Sequence, residues 1–173
     1  MLLRLGRFSD MPKTSSAFGK RVASFDTATT SSLKSYGGSF VSATEYPTVD
    51  AVTVIGTAPN TTINFDVDKQ SVLYFTQNAG GNWTINFRGT AGTPLNSYIG
   101  LNETITVVAM TTQGGTAYYN NAYQIDGATV VPKWQGGVAP ASGNASGLDI
   151  YTYTITKTAN ATYTVIAGVT QFK

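Results

Sequence analysis

The sequence predicts an all-β protein, an antiparallel β-sandwich or jelly-roll-like domain that follows an extended amino-terminal arm. The first observation is composition: 18 glycines, 10 tyrosines and only 12% charged residues favour strands and turns over helices. The second is a period-two alternation of apolar and polar residues, which recurs about every 8 to 12 residues after residue 46. The third is that no helical pattern separates these segments, whereas a parallel α/β fold would need crossover helices.

The arm comprises residues 1–46, which we expect to order on assembly with a partner. Residues 1–34 carry a charge of 6 − 2 = +4 and the rest of the chain carries 5 − 7 = −2, so the arm is suited to an acidic surface. Its apolar residues are spaced too widely for a core of their own. The alternative is a solvated leader without function. The predicted anchoring residues are Leu5, Phe8, Phe18, Phe25, Arg4, Arg7, Lys20 and Arg21.

The domain at residues 47–173 begins with strands that alternate clearly. In "TTINFDVD", Ile63 and Phe65 share one face, while "QSVLYFTQ" is more continuously apolar and predicts a central strand. In "NWTINFRG", the alternation places Trp83, Ile85 and Phe87 inward. Each segment is therefore expected to contribute one apolar face to a shared core.

Two hairpins are predicted in the second half of the domain. Asp126-Gly127 is a two-residue turn between apolar positions. Further on, "DIYTYTITK" and "ATYTVIAGVTQF" flank a short "TANA" connection, and Tyr151, Tyr153 and Ile155 lie on one face. The whole domain is expected to hold eight to ten strands.

Composition excludes most catalytic chemistries. The chain has no cysteine and no histidine, which removes Ser-His and Cys-His nucleophile systems, the usual zinc hydrolase sites and iron–sulfur clusters. Asp66 and Asp68 are candidates for calcium binding or acid–base work, and a carboxylate hydrolase would need them, or Asp126 and Asp149, to converge in one cleft. The simpler interpretation is an exposed strand end. We expect no enzyme activity, no cofactor and no metal.

Membrane and nucleic-acid roles are also not expected. Arg4 and Arg7 interrupt the apolar residues of "MLLRLGRF", so an export signal is not predicted, and no run of about 18 apolar residues predicts a membrane span. The basic residues of the domain are scattered, so a nucleic-acid groove is not expected despite the many tyrosines.

Trp134 is the candidate contact residue of the domain. It follows Pro132, which ends a strand, and precedes Gly136-Gly137, which allow a sharp change of direction. Three roles are open for this indole: a plug at the end of the sandwich, a subunit contact, or a platform for a sugar. The same alternatives hold for Tyr118, Tyr119 and Tyr123, whose clustering favours an interface.

The run from Ser71 to Phe172 resembles a β-rich module of tailed bacteriophages, especially marine and cyanobacterial ones, found in tail-fibre proteins and in small proteins of the particle surface. The most specific segments are "YQIDG", "PKWQGG" and "YTYTITKTANATYTVIA". The resemblance does not cover residues 1–46, and it brings no catalytic residues with it.

The resemblance implies a structural protein of the virion, made in the host cytoplasm and carried on the particle surface. The expected role is a capsid decoration or cement protein, held on the major capsid protein or other virion proteins by its arm and assembled as a homo-oligomer, a trimer. The alternative is a tail or neck fibre that binds host surface glycans through Trp134 and Tyr119.

Overall fold

A computed structural model describes residues 50–173, and the predicted arm anchors at residues 1–46 lie outside this part of the chain. These residues form ten strands, one short α-helix and one 3-10 turn (Gln135–Gly137), in agreement with the predicted number of strands. In chain order they are β1 (Val52–Ile55), β2 (Thr62–Asp66), β3 (Val72–Phe75), β4 (Trp83–Arg88), α1 (Leu95–Tyr98), β5 (Thr104–Thr112), β6 (Asn120–Ile125), β7 (Ala128–Thr129), β8 (Lys133–Trp134), β9 (Leu148–Ala159) and β10 (Thr162–Phe172).

The strands form two sheets, which confirms the all-β prediction. The larger sheet has the order β1-β3-β5-β9-β10-β8, and the smaller sheet has the order β2-β4-β6-β7. Successive strands from β1 to β6 therefore alternate between the sheets, so that this part of the chain winds in coils. Strands β8, β9 and β10 then return to the larger sheet and extend it on the far side of β5.

The predicted antiparallel arrangement is wrong for most of the described pairs. Five of the eight pairings are parallel, and only β5 with β9, β9 with β10 and β6 with β7 are antiparallel. Parallel neighbours need a long crossover connection, which is usually a helix. Here each crossover among β1 to β6 runs through a strand of the opposite sheet, so the absence of helical patterns did not exclude parallel pairing.

Both predicted hairpins are confirmed. Strands β6 and β7 pair around Asp126 and Gly127, whose φ angles are 51° and 80°. Strands β9 and β10 pair along their whole length and turn at Asn160 and Ala161, the second with a φ of 49°. Positive φ at the turn residues matches the right-handed twist of the flanking strands.

The core lies between the two sheets and is built from the predicted inward faces. Trp83, Ile85 and Phe87 of β4 are buried as predicted, and Phe65 of β2 lies beside Phe87. From the larger sheet, Tyr151, Tyr153 and Ile155 of β9 are completely buried. Each such apolar side chain stabilises the fold by about 1.5 to 3 kcal/mol through removal from water, so this interface holds the two sheets together.

Candidate functional site

An aromatic cluster joins the segments "YQIDG", "PKWQGG" and "YTYTITK". Tyr123 comes from β6, Trp134 from β8 and Tyr153 from β9. The ring centroids of Tyr123 and Trp134 are 5.5 Å apart, those of Trp134 and Tyr153 are 6.4 Å apart, and those of Tyr123 and Tyr153 are 6.2 Å apart. The rings meet at tilted or edge-on angles, the geometry that aromatic pairs prefer.

Trp134 faces the interior of the domain because of its strand pairing. β8 lies parallel to β10, with Trp134 opposite Ala167, and Ala167 is buried in the core. The indole is half-buried, since β8 is the edge of the larger sheet. The indole packs against the rings of Tyr123 and Tyr153 and the core, and the rest of its surface is exposed to solvent.

The remaining tyrosines differ in how much surface they offer. Tyr123 is 9% exposed, so little of its side chain is available to a partner. Tyr118 and Tyr119 are half-buried, and their backbone groups are held by side chains. Gln113 bonds both the N–H and the carbonyl of Tyr118, while Asn82 accepts the N–H of Tyr119. These two tyrosines are the more accessible members of the predicted cluster.

Asn120 is a buried polar centre beneath the aromatic cluster, and the sequence analysis did not identify it. Its side-chain nitrogen donates to the carbonyl oxygens of Trp83 at 2.8 Å and Ala122 at 3.1 Å, and its side-chain oxygen accepts from the Tyr153 hydroxyl at 2.7 Å. The carbonyl of Asn120 accepts from the Tyr123 hydroxyl at 2.5 Å. One residue thus links the smaller sheet to tyrosines on both sheets.

A β-bulge explains why Asn120 was missed. Trp83 pairs with Asn120 and the next residue, Thr84, pairs with Ala122, so Asn121 is an extra residue in β6. The bulge shifts the alternation by one position, which turns both Asn120 and Tyr123 inward and leaves Asn121 exposed. A strict period-two pattern from Tyr123 would have placed Asn121 inside. Only the asparagine pair before an apolar run hinted at an irregularity.

The buried tyrosine hydroxyls in and beside this cluster form hydrogen bonds in their protonated state. Burial raises the pKa of Tyr123, Tyr151 and Tyr153 above the usual range. Each therefore stays protonated at neutral pH, so the Tyr123 and Tyr153 hydroxyls can donate to Asn120 without competition from ionisation. The cluster is a neutral, structural network.

A shallow groove lies beside Trp134 on the larger sheet. Its volume is about 450 Å³, and its lining includes Trp134, Gln135, Thr152, Ile166 and Gly168. Because Gly168 has no side chain, the chain leaves room there: a Cβ at this position would lie 3.2 Å from Oε1 of Gln135. The groove combines an aromatic edge with amide and hydroxyl groups, the chemistry that contacts sugars.

The first predicted carboxylate pair is engaged in structural contacts. Asp66 ends β2 and forms ion pairs with Arg88 and with Lys69, the latter at 3.2 Å between Nζ and Oδ2. The hydrogen bond from Arg88, followed by the weaker contribution of Lys69, holds the pKa of Asp66 below its usual value despite partial burial. Asp68 lies in the turn after β2, where it accepts from the Tyr98 hydroxyl at 3.2 Å. Asp66 and Asp68 therefore lie in different elements and do not form the paired site considered for calcium binding or acid–base work.

The second predicted pair, Asp126 and Asp149, lies in two separate sets of structural contacts. Asp126 accepts the backbone N–H groups of Leu95 and Asn96 at 2.6 and 3.0 Å, at the start of α1. Asp149 is completely buried and accepts from Gln113 at 2.9 Å and from the N–H of Asn144 at 3.1 Å. Desolvation raises the pKa of Asp149, against the lowering effect of these bonds. Each carboxylate thus fixes a different loop.

Potential metal ligands do not gather anywhere in residues 50–173: no group of three or more acidic side chains is present there. Over the same residues, no helix is long and apolar enough to cross a membrane. Comparison of the chain with protein-family models, curated proteins and solved structures found no match.

Proposed function

We propose that the protein is a structural protein of a tailed-phage particle, a capsid decoration or cement protein. The observation that supports this function best is the aromatic cluster. Its three members, Tyr123, Trp134 and Tyr153, come one each from the segments most specific to the phage-like resemblance. The resemblance therefore describes the interior of a folded module rather than residues scattered over a surface.

In this role, residues 1–46 lie along the capsid lattice and the β-domain projects from it. The basic charge of residues 1–34 suits an acidic lattice surface, and each apolar anchor stabilises attachment by about 1.5 to 3 kcal/mol when fully buried. Many copies on a symmetric lattice, in contact with one another, add avidity to these modest contributions. Binding at subunit junctions resists the outward pressure of packaged DNA.

The carboxylates support a non-catalytic role. A glycan hydrolase needs two carboxyl groups on either side of one bond. Asp66 forms an ion pair with Arg88, Asp126 accepts a backbone N–H at the start of α1, and Asp149 is completely buried. Their engagement in the fold favours attachment rather than chemistry as the task of the domain.

Immunogold electron microscopy of the particles of the encoding virus tests this proposal, with antibody raised against residues 47–173. Gold spread over the head is the expected result. Gold confined to the tail or neck would favour the fibre function, and particles without label would refute a virion role altogether. Mass spectrometry of gradient-purified particles provides an independent check on the absence of label.

Deletion of residues 1–34 tests the arm separately. We expect the shortened protein to keep the circular dichroism spectrum of a β-protein and to lose binding to heads that lack the native protein. The control is the full-length chain with Asn121→Arg, an exposed change outside the arm. A shortened protein that still saturates the heads contradicts attachment by the arm.

The groove beside Trp134 supports a second candidate, a fibre that binds host surface glycans. Trp134→Ala is a poor test because it also removes packing on Tyr123 and Tyr153. Thr152→Arg is better, since Thr152 is exposed and lines the groove. Binding to host polysaccharide should be lost with Thr152→Arg and kept with Asn121→Arg; equal binding by both variants would reject this groove as the glycan site.

A further inference from the structure

The outward faces of the two sheets differ sharply in polarity. On the smaller sheet, neighbouring outward positions are polar: Asn64 lies opposite Asn86, which lies opposite Gln124. The Asn86 side chain donates to that of Asn64 at 2.8 Å, and its oxygen accepts the N–H of Gly127 at 2.9 Å. This face satisfies its own polar groups and is suited to contact with water.

The larger sheet carries a continuous apolar surface on its outward side. One row runs from Val52 through Val72 to Val108, and the next from Val54 through Tyr74 and Met110 to Ile150. A third row pairs Leu148 with Phe172. We call these nine residues the apolar face: Val52, Val54, Val72, Tyr74, Val108, Met110, Leu148, Ile150 and Phe172.

The apolar face is accessible in the described part of the chain. Val52, Val54 and Phe172 are 53%, 62% and 50% exposed, and the six other residues of the face are half-buried. With about 4.8 Å between strands and about 6.8 Å between outward positions along a strand, the nine residues cover about 300 Å² in projection. This is within the roughly 300 to 600 Å² of the largest apolar patch on a typical monomer, a size that often marks a contact surface.

Paired threonines border the apolar face. The hydroxyls of Thr104 and Thr156 are 2.7 Å apart, and those of Thr106 and Thr154 are 3.0 Å apart. Because the hydroxyls bond each other across β5 and β9, they can enter an interface at little cost in lost hydration. With these four threonines the surface reaches about 420 Å² in projection, about half of the roughly 800 Å² per partner in a standard interface.

The lack of charge on this surface indicates which partner it can bind. Along the described strands of the larger sheet, the outward positions include no acidic residue, and the one basic residue is Lys133 on the edge strand β8. A neutral apolar surface can meet its own copy without like-charge repulsion. The segment at residues 1–34, with a charge of 6 − 2 = +4 and widely spaced apolar residues, is a poorer match.

We propose that the apolar face binds the same face of a second copy of this chain, so that two larger sheets pack against each other in an isologous contact. Face-to-face sheets pack about 10 Å apart with their side chains interdigitated. A two-fold contact of this kind uses the same patch on both subunits. A two-fold contact gives a dimer rather than the trimer expected from the sequence resemblance, and the proposal requires no virus particle.

The test is the mass of the purified full-length protein in solution, measured by sedimentation equilibrium from about 2 to 200 µM, a range that detects association of micromolar strength. We expect the wild type to associate as concentration rises. Met110→Lys, at the centre of the face, and Val54→Lys, at its edge, should be monomeric, with unchanged circular dichroism. The control is Val131→Lys, which is 87% exposed and lies outside the face, and it should associate like the wild type.

Mixing charge variants tests whether the face meets its own copy. Met110→Lys and Met110→Glu should each be monomeric, and an equimolar mixture should associate. A monomeric wild type overturns the proposal and would point to residues 1–49 as the cover of the face. Association that persists in Met110→Lys, or a mixture that stays monomeric, also overturns it. None of these outcomes depends on binding to heads, so this inference and the proposed function can fail separately.

Discussion

The buried centre at Asn120 permits the sharpest stability prediction. Asn120→Ala removes two donated hydrogen bonds, to the carbonyls of Trp83 and Ala122, and one accepted from the Tyr153 hydroxyl. At about 1 kcal/mol for each bond, the loss is about 3 kcal/mol. The Tyr153 hydroxyl is then left without this partner at a position with no solvent exposure, which adds about 1 to 2 kcal/mol.

The expected total is therefore about 4 to 5 kcal/mol, a large part of the stability of an ordinary domain. Urea unfolding followed by tryptophan fluorescence measures it, because Trp83 lies in the core beside Asn120. The matched control is Asn121→Ala, which changes the same residue type one position away on the exposed side of the bulge. That control should cost less than about 0.5 kcal/mol.

A double-mutant cycle separates the hydrogen bond from the cavity. Tyr153→Phe removes the hydroxyl that donates a hydrogen bond to Asn120. In the Tyr153→Phe background, Asn120→Ala should therefore lower the free energy of unfolding by about 1 to 2 kcal/mol less than it does in the wild type. A cost below about 1 kcal/mol for Asn120→Ala, or strictly additive effects in the cycle, would refute the view that Asn120 ties the two sheets together.

Three further predictions concern an ion pair, a glycine in close backbone contact and the indole. Arg88→Met should destabilise the fold by about 1 to 2 kcal/mol at pH 7 because it removes the partner of Asp66. The folded pKa of Asp66 is lowered, so its ion pair contributes stability above the unfolded pKa and loses that contribution as pH falls. Unfolding at pH 7 and at pH 2.5 checks this, and an equal cost of the mutation at both values contradicts it. Gly143→Ala should destabilise by about 1 to 3 kcal/mol, since its Cβ would lie 2.3 Å from the Tyr118 carbonyl oxygen, whereas Gly92→Ala, with open space around it, should be nearly neutral in thermal unfolding. Trp134→Ala should cost about 2 kcal/mol and change the near-ultraviolet circular dichroism, and an unchanged spectrum would argue against its packing on the two tyrosines.

Alternation along single strands was readable from the sequence. The inward faces of β4 and β9, the turn at Asp126-Gly127 and a hairpin around "TANA" were predicted and are confirmed, with the second turn at Asn160-Ala161. These features are local: a strand exposes alternate side chains to opposite faces, and a two-residue turn depends on its own φ angles. The candidate carboxylates were also identified by type, but not their partners.

The pairing of strands was decided only in three dimensions. The alternation in β2 and β4 is the same whether the strands run parallel or antiparallel, because it reports which side chains are buried and not which strand lies beside which. The parallel register depends on crossovers through the opposite sheet, and the position of Asn120 depends on a bulge against Trp83.

The sequence by itself thus determined the strands, their buried faces and two hairpins, because these follow from the periodicity of neighbouring residues. The tertiary structure alone decided that Trp134 packs on Tyr123 and Tyr153 and that Val54, Tyr74 and Met110 form one outward row. Residues far apart in the chain become neighbours only through strand order and register, and no local pattern encodes either of them.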